Sequence, residues 1–455
     1  MGIVETISSY IPEVNPPKQK KLSFKEKIKW TLIVLVLFLI MGLVPLYGLG
    51  ENALEQFEFL SVILGASFGS IISLGIGPIV TASIVLQLLN GSGILHYDMT
   101  SEQGKREFQS MQQILTISFI ALEAFIYVAM GGLAPMPGVS MWILVFQLFL
   151  GGMIIVYLDQ VVSKWGIGSG VSLFIAAGVS QTIFVRALNP LPSPNNPSVS
   201  SGAIPALFQF LSQGDPQSAA LMLAGIIATI AVFAFVVYTQ AMKVEVPLSF
   251  GRVRGHGVRW PLSFFYTNVM PVILVAALLA NIQLFGKLLD NWGFPILGQF
   301  AGNTPISGLA AFMYSPNIVQ NIITGSLSFS MLFQALVYVL IYMVGCMVFS
   351  IFWMQSGGMD AKSQAKQMMA SGLQIPGFRR DQRVLERLLN RYIWPLTVMG
   401  GLAVGFLAAI ADLTGAFGGG TGILLTVMII YKLYEEIAKQ HMMDMNPMMR
   451  KFMTT

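Results

Sequence analysis

Ten apolar runs, each near the ~17–25 residues that a bilayer-spanning helix needs, decide what this chain can fold into. They read at roughly 30–47, 76–95, 111–130, 141–160, 171–188, 219–241, 262–281, 331–355, 393–413 and 420–438. Only 10% of the 455 residues are charged and 55% are hydrophobic, whereas a soluble domain carries about 25% charged residues. One soluble core cannot hold that much apolar surface, so lipid is the solvent for much of it. The expectation is an all-α integral membrane protein with ten transmembrane helices.

The basic residues orient the spans. Lys and Arg accumulate in cytoplasmic loops. Six fall in residues 1–29, two in the loop after the second run (Lys105, Arg106) and one after the fourth (Lys164). The loops at 242–261 and 356–391 hold four and seven, and the C-terminal end four. The opposite side keeps only Arg186 and Lys287 of the chain's 26. This loop-by-loop alternation requires an even number of spans with both termini in the cytoplasm, and one missed helix would scramble it.

The same reading divides the chain. Residues 1–29 form a basic cytoplasmic segment, too long and polar for a signal peptide. Residues 30–188 and 218–455 form two halves of five spans each. Between them the outer loop 189–217, rich in Pro, Ser and Asn, reads as irregular. The outer stretch 282–328 reads as a cap, and the basic loops 242–261 and 356–391 protrude into the cytoplasm.

Two interruptions hint at a working site. Phe57–Ser70 is apolar but too short to span, and Gly75, Gly77 and Pro78 follow it. It reads as a re-entrant, plug-like half-helix or as an amphipathic piece lying on the surface. In the second half Pro271 falls early in its second span, as Pro78 does in the first. Corresponding breaks suggest a pseudo-symmetric repeat with the site at the repeat interface.

Several chemistries are excluded. Cys346 is the single cysteine, so no intramolecular disulfide exists, and it sits in an apolar run. His96, His256 and His441 form no metal-binding pattern, and no Gly-x-x-x-x-Gly-Lys loop is present. No cofactor is expected, and no nucleophile and base pair suggests an enzyme.

Four segments carry a resemblance. They are Leu74–Ala82 (LGIGPIVTA), Gly166–Ile175 (GIGSGVSLFI), Pro376–Arg379 (PGFR) and Gly418–Gly422 (GGGTG). In this order and spacing the chain resembles the SecY family, the large subunit of the protein-conducting channel, in its archaeal and eukaryotic branch. The resemblance implies two five-helix halves around a central hourglass pore in the plasma (cytoplasmic) membrane. Newly made polypeptides would cross it, or leave sideways into lipid.

The resemblance also assigns roles. An aliphatic pore ring would comprise Ile76, Val80, Val171, Ile175, Ile273 and Leu425. Ile76 and Val80 are four residues apart, as are Val171 and Ile175, so each pair shares a helix face. Such a ring resists ions, which would lose hydration without gaining ligands. The bland alternative is ordinary packing. The plug would be Glu58, Phe59, Leu60, Ser61, Val62, Ile63, Leu64, Gly65, Ala66, Ser67 and Phe68. A lateral gate, open to signal sequences and transmembrane segments, would carry Thr81 and Glu123, with Asn268 nearby. Asn268 lies three residues before Pro271, one further than the family pattern. Glu123 interrupts an apolar run and must face protein or water.

Arg252, Arg254 and Arg259 in the first basic loop, and Arg379, Arg380 and Arg383 in the second, would dock a ribosome, through its RNA, or another cytosolic motor. Positive-inside topology with headgroup contact is the plainer reading. Implied partners are a SecE/gamma-type subunit and a small beta-type subunit. A secondary transporter of small solutes is the competing function, and Glu123, Asp159 and Asp412 are the residues it would use.

Overall fold

The computed structural model describes residues 11–18, 22–52, 64–91, 94–95, 97, 101–193, 196–250, 257–267, 269–302, 304–370, 373–374 and 381–445. The first half contains α1 (Phe24–Gly42), α2 (Gly77–Gly91), α3 (Glu102–Ala129), α4 (Met141–Trp165) and α5 (Gly170–Leu188). α6 (Ala203–Gln213) leads into α7 (Pro216–Gln240). Then come α8 (Met270–Asn291), the short α9 (Gly308–Phe312) and α10 (Ile318–Ile323), α11 (Phe329–Ser356), α12 (Ala361–Ala370), α13 (Gln382–Leu413) and α14 (Gly420–Met445).

Seven of these, α3, α4, α5, α7, α8, α11 and α13, are long and apolar enough to cross a membrane. The molecule is therefore a multi-pass membrane protein. Their surfaces agree. α7 turns Ile227, Ile230 and Phe233 outward, and α1 exposes Leu32, Val36 and Ile40, as helices bordered by lipid do. In contrast α8 is buried on nearly every side from Pro271 to Leu288, which places it inside the bundle.

Local chemistry sets the helix ends. The Ser23, Ser101 and Ser328 hydroxyls accept backbone N–H groups of Glu26, Gly104 and Met331 and start α1, α3 and α11. Asp215 does the same for α7, whose first residue is Pro216. These hydrogen bonds hold the exposed Asp215 carboxyl below the usual carboxylate range. Pro271 stands in the first turn of α8, so that helix starts at Met270, eight residues later than hydropathy suggested, and reaches Asn291.

The purely helical expectation needs correction in the loops, where the first strands are the antiparallel pair β1 (Leu49–Asn52) and β2 (Leu133–Pro135). Residues 242–261, read as a basic loop, form much of an antiparallel hairpin of β5 (Lys243–Phe250) and β6 (Gly257–Ser263). The second basic loop adds β9 (Leu373–Gln374) to its edge, with Ser249 opposite Gln374 and Phe250 opposite Leu373. Alternating Val244, Val246 and Leu248 supply the period-two pattern. The outer loop 189–217, read as irregular, contains the small β3–β4 pair (Pro192–Ser193 and Asn196–Ser200) and α6. α6 buries Ala203 and Ala206 and ends at Gly214, whose φ of 75° is the left-handed conformation of a helix stop. The outer stretch 282–328 adds the β7–β8 hairpin (Phe300–Ala301 and Thr304–Pro305) to α9 and α10.

Three apolar clusters hold the bundle. The largest joins α1, α2, α4, α5, α7, α8, α11, α13 and α14. A second lies among α2, α3, α4 and α8, with Leu46 and Leu133. A third packs the hairpin residues Val246 and Leu262 on α12 and on Leu385, Leu389 and Ile393 of α13. Helices approach closely where glycines face backbone: a Cβ on Gly405 would stand 2.6 Å from the Tyr342 carbonyl oxygen.

Candidate functional site

The largest cluster contains the six ring positions. Ile76, Val80, Ile175, Ile273 and Leu425 are at most 4% exposed, and Val171 packs against them half-buried. They come from the residue that precedes α2 and its first turn, the first two turns of α5, the first turn of α8 and the second turn of α14. Glycines lead into α2, α5 and α14, and Pro271 stands in the first turn of α8, so the chain enters the centre of the bundle four separate times. The residues so collected carry no side-chain hydrogen-bonding atom.

Leu64 belongs to the same cluster and is 1% exposed. Its carbonyl accepts the Ile76 N–H at 2.7 Å. A Cβ on Gly65 would lie 3.6 Å from Phe174 Cβ and 3.8 Å from the Ile76 side chain. Leu64 and Gly65, at the described end of the plug segment, therefore sit against the ring position Ile76. Gly75 makes this possible. Its φ is 55°, and any Cβ there would strike the Leu64 carbonyl oxygen. Leu64–Phe68 is not helical, and Glu58, Phe59, Leu60, Ser61, Val62 and Ile63 lie outside the described residues.

Two cavities flank the cluster. One, of about 220 Å³, is bounded by Val80, Val171 and Ile273 and by the polar Ser83, Gln87 and Gln112. The other, of about 290 Å³, is bounded by Gly65, Ala66 and Ser67 with Gln181 and Thr182. Both hold polar groups, whereas the six ring positions hold none; three of them border the first cavity and none the second.

A buried polar group bridges three helices beside the cluster. The Thr81 hydroxyl of α2 lies 3.2 Å from Glu123 Oε1 of α3 and 2.9 Å from the Gly77 carbonyl. The Asn281 amide of α8 donates to that hydroxyl at 3.0 Å. Glu123 Oε2 and Asn281 Oδ1 have no partner among the described residues. Thr81 and Glu123 thus meet, and the asparagine that joins them is Asn281. Asn268 lies outside the described residues. Asn281 interrupts the apolar run Val275–Ala280, which was a readable signal. It was missed because the seventh span was placed at 262–281, making Asn281 a terminal residue instead of an internal one.

Two of the three transporter candidates hold backbone N–H groups. Asp159 accepts the Val171 N–H at 3.0 Å, and Asp412 accepts the Thr421 N–H at 2.6 Å. Among the arginines, Arg252, Arg254, Arg379 and Arg380 lie outside the described residues. Arg259 occupies β6 opposite Pro247. Arg383 is exposed in the first turn of α13, its backbone N–H on Asp381 Oδ1 at 2.9 Å. Near them the Tyr266 hydroxyl, raised above its ordinary pKa by burial and by the Asp360 charge, donates to the Met359 carbonyl at 2.7 Å.

Sequence and structure comparisons coincide with this geometry. Residues 70–434 match the SecY family model, and residues 36–69 match the plug domain of Sec61p. The chain belongs to the SecY family. The protein translocase subunit SecY of Methanothermobacter thermautotrophicus is 44% identical over 99% of this chain and 98% of its own length. A solved structure described as that of a protein conducting channel superposes with a TM-score of 0.85, at 42% identity over 96% of this chain and 97% of that one. Sec61 in a canine ribosome-channel complex from the endoplasmic reticulum gives 0.81 at 42% identity, with the same coverage. The plug-domain match ends at Gly69, and within it Leu64 and Gly65 lie against Ile76.

Proposed function

We propose that this SecY-family chain is the central pore-forming subunit of a protein translocase. It conducts unfolded polypeptides across the membrane and releases transmembrane segments sideways into lipid. The observation that carries this reading is the buried aliphatic cluster of six side chains, three of which border a polar-lined cavity, with Leu64 in the same cluster. A surface without hydrogen-bonding groups resists hydrated ions and accepts any side chain, which suits a general polypeptide pore. A solute transporter would need its polar groups free at that point, and Asp159 and Asp412 are bound to backbone instead.

In this proposal ten helices cross the membrane. α1, α2 and α14 join the seven long apolar ones. Four charged residues lie at the start of α1, α2 is only 15 residues long, and charges gather at the end of α14, so composition alone hides these three. Residues 30–188 and 218–455 are the two halves of an hourglass, both termini are cytoplasmic, and the membrane is the plasma membrane. The plug spans Glu58–Phe68, and the lateral gate opens between α2 and α3 on one side and α8 and α11 on the other.

The test is site-specific photo-crosslinking of a stalled secretory chain, with probes at Ile76 and Ile273 and a control at lipid-facing Ile230. Strong adducts at both ring positions and little at Ile230 support the pore. Adducts absent from both, with ribosome and companion subunits present, return the transporter reading.

The gate gives a second prediction. Asn281 Oδ1 and Glu123 Oε2 lack partners in this closed arrangement, and a buried unpaired polar atom costs about 1–3 kcal/mol. Asn281→Leu removes one such atom and adds apolar contact across the gate. It favours closure, so insertion of weakly hydrophobic signals falls by about tenfold. Unchanged insertion in a reconstituted assay counts against the gate assignment.

Docking follows from the sheet. Strand order β6-β5-β9 joins the two basic loops into one surface. The proposed cytosolic partner is a ribosome, contacted through its RNA, or another motor; a SecE/gamma-type subunit and a small beta-type subunit complete the membrane complex. Arg252→Glu with Arg254→Glu weakens ribosome binding and lowers the slope of log affinity on log salt by roughly 1.5 units for two phosphate contacts. An unaltered slope leaves these arginines to headgroups and topology.

A further inference from the structure

The two halves share a device outside the residues assigned so far. Glycine-rich links lead into α5 and into α14. In the first, the Ile167 N–H donates to Thr31 Oγ1 of α1 at 3.1 Å, and the Val171 N–H to Asp159 Oδ1 of α4 at 3.0 Å. In the second, the Phe417 N–H donates to Thr229 Oγ1 of α7 at 3.0 Å, and the Thr421 N–H to Asp412 Oδ1 of α13 at 2.6 Å. In each half the two held N–H groups are four residues apart. The threonine comes from the half's first long helix and the aspartate from its fourth.

The details repeat. Each threonine donates its own hydroxyl to the carbonyl four residues back, Lys27 at 2.9 Å and Gly225 at 2.7 Å. A glycine precedes each aspartate-held residue, and neither has room for a side chain. A Cβ on Gly170 would stand 2.6 Å from Asp159 Cα, and one on Gly420 would strike the Ala411 carbonyl group. Four residues beyond each aspartate-held N–H comes a ring position: Ile175 after Val171, and Leu425 after Thr421. Asp412 also accepts the Tyr338 hydroxyl at 2.7 Å and the Thr421 hydroxyl.

We infer that Thr31 with Asp159, and Thr229 with Asp412, are positioning residues that fix how deep Ile175 and Leu425 sit in the constriction. The first-turn N–H groups of a helix have no intrahelical acceptor and carry its positive end, so a carboxylate from a neighbouring helix anchors them. An α-helix is stiff, and four residues are one turn, about 6 Å along its axis. Any slip at the anchor therefore reaches the ring side chain undiminished. The inference rests on the pore-ring reading above.

The test is ion conductance per channel of the full chain with its companion subunits in planar bilayers, alongside transport of a substrate with a weakened signal. Folding is followed independently through protection of the buried Cys346 thiol. Asp159→Ala and Asp412→Ala each raise resting conductance by about tenfold, the size of a lost helix cap, and admit the weak substrate. Thr31→Val and Thr229→Val raise it in the same direction, and Thr31→Ser and Thr229→Ser restore it. Leu425→Gly serves as the ring control. If Leu425→Gly leaks and the folded aspartate variants conduct like the parent, the positioning inference is wrong and the ring stands. If Leu425→Gly does not leak, the ring reading itself fails. Should Asp412→Ala not fold, the Val and Ser pair at Thr229 decides: equal conductance in both overturns the inference.

Discussion

Ile273→Asn opens the resting channel to ions, raising conductance per reconstituted channel on the order of 10- to 100-fold. Ile273 is 2% exposed and sits in the first turn of α8, among the other ring positions and beside Leu64. Asparagine there sets an amide against the aliphatic ring while the cluster is closed, and each amide atom buried unpaired costs about 1–3 kcal/mol. In an open, wetted channel the same amide is hydrated, so the cost falls on the closed state alone. The substitution also places a polar group on an apolar surface whose dewetting is the barrier. The same variant transports substrates with defective signals. Ile273→Leu keeps volume and polarity and serves as the control. Parent-like conductance and stringency in a folded Ile273→Asn protein would remove this residue from the ring.

Gly405→Val breaks the packing of α13 on α11 and exposes Cys346. A Cβ at Gly405 would stand 2.6 Å from the Tyr342 carbonyl oxygen, 2.9 Å from Met343 Cα and 3.0 Å from Cys346 Cβ. One turn earlier, a Cβ at Gly401 would stand 2.6 Å from Ser350 Oγ and 3.0 Å from Met347 Cα. These neighbours are largely backbone, which cannot rotate away. Overpacking of this kind costs about 1–3 kcal/mol or more, and in lipid close glycine contacts supply much of helix association. Cys346 is the only cysteine and is fully buried, so a maleimide reports the separation directly. Labelling in native membranes rises by about tenfold or more over the protected parent. A thiol that stays protected in Gly405→Val, with unchanged thermal stability, shows that the helices accommodate the branch.

The spans were readable because lipid leaves few choices. A run of 20 apolar residues must be a helix there, since no water satisfies its backbone. Among the described residues, each run that hydropathy picked overlaps a helix. Their ends were less readable, because they depend on capping and on proline. α8 shows the consequence: Pro271 sets its start, the helix extends to Asn291, and Asn281 becomes an internal residue in contact with Thr81. Hydropathy averages over a window and cannot see that shift.

The sequence by itself determined a membrane protein with basic loops on one side, breaks at Gly75–Pro78 and Pro271, and an ionisable Glu123 in an apolar run. Those follow from local composition, which acts through the solvent and the backbone alone. Only the tertiary structure decided which residues meet. It joined β5 to β9 across more than a hundred residues, brought Asn281 to Thr81, and set Asp159 and Asp412 on the backbone of α5 and α14. Those pairings depend on how helices stack in three dimensions, and no period in the chain encodes which distant acceptor a free N–H will find.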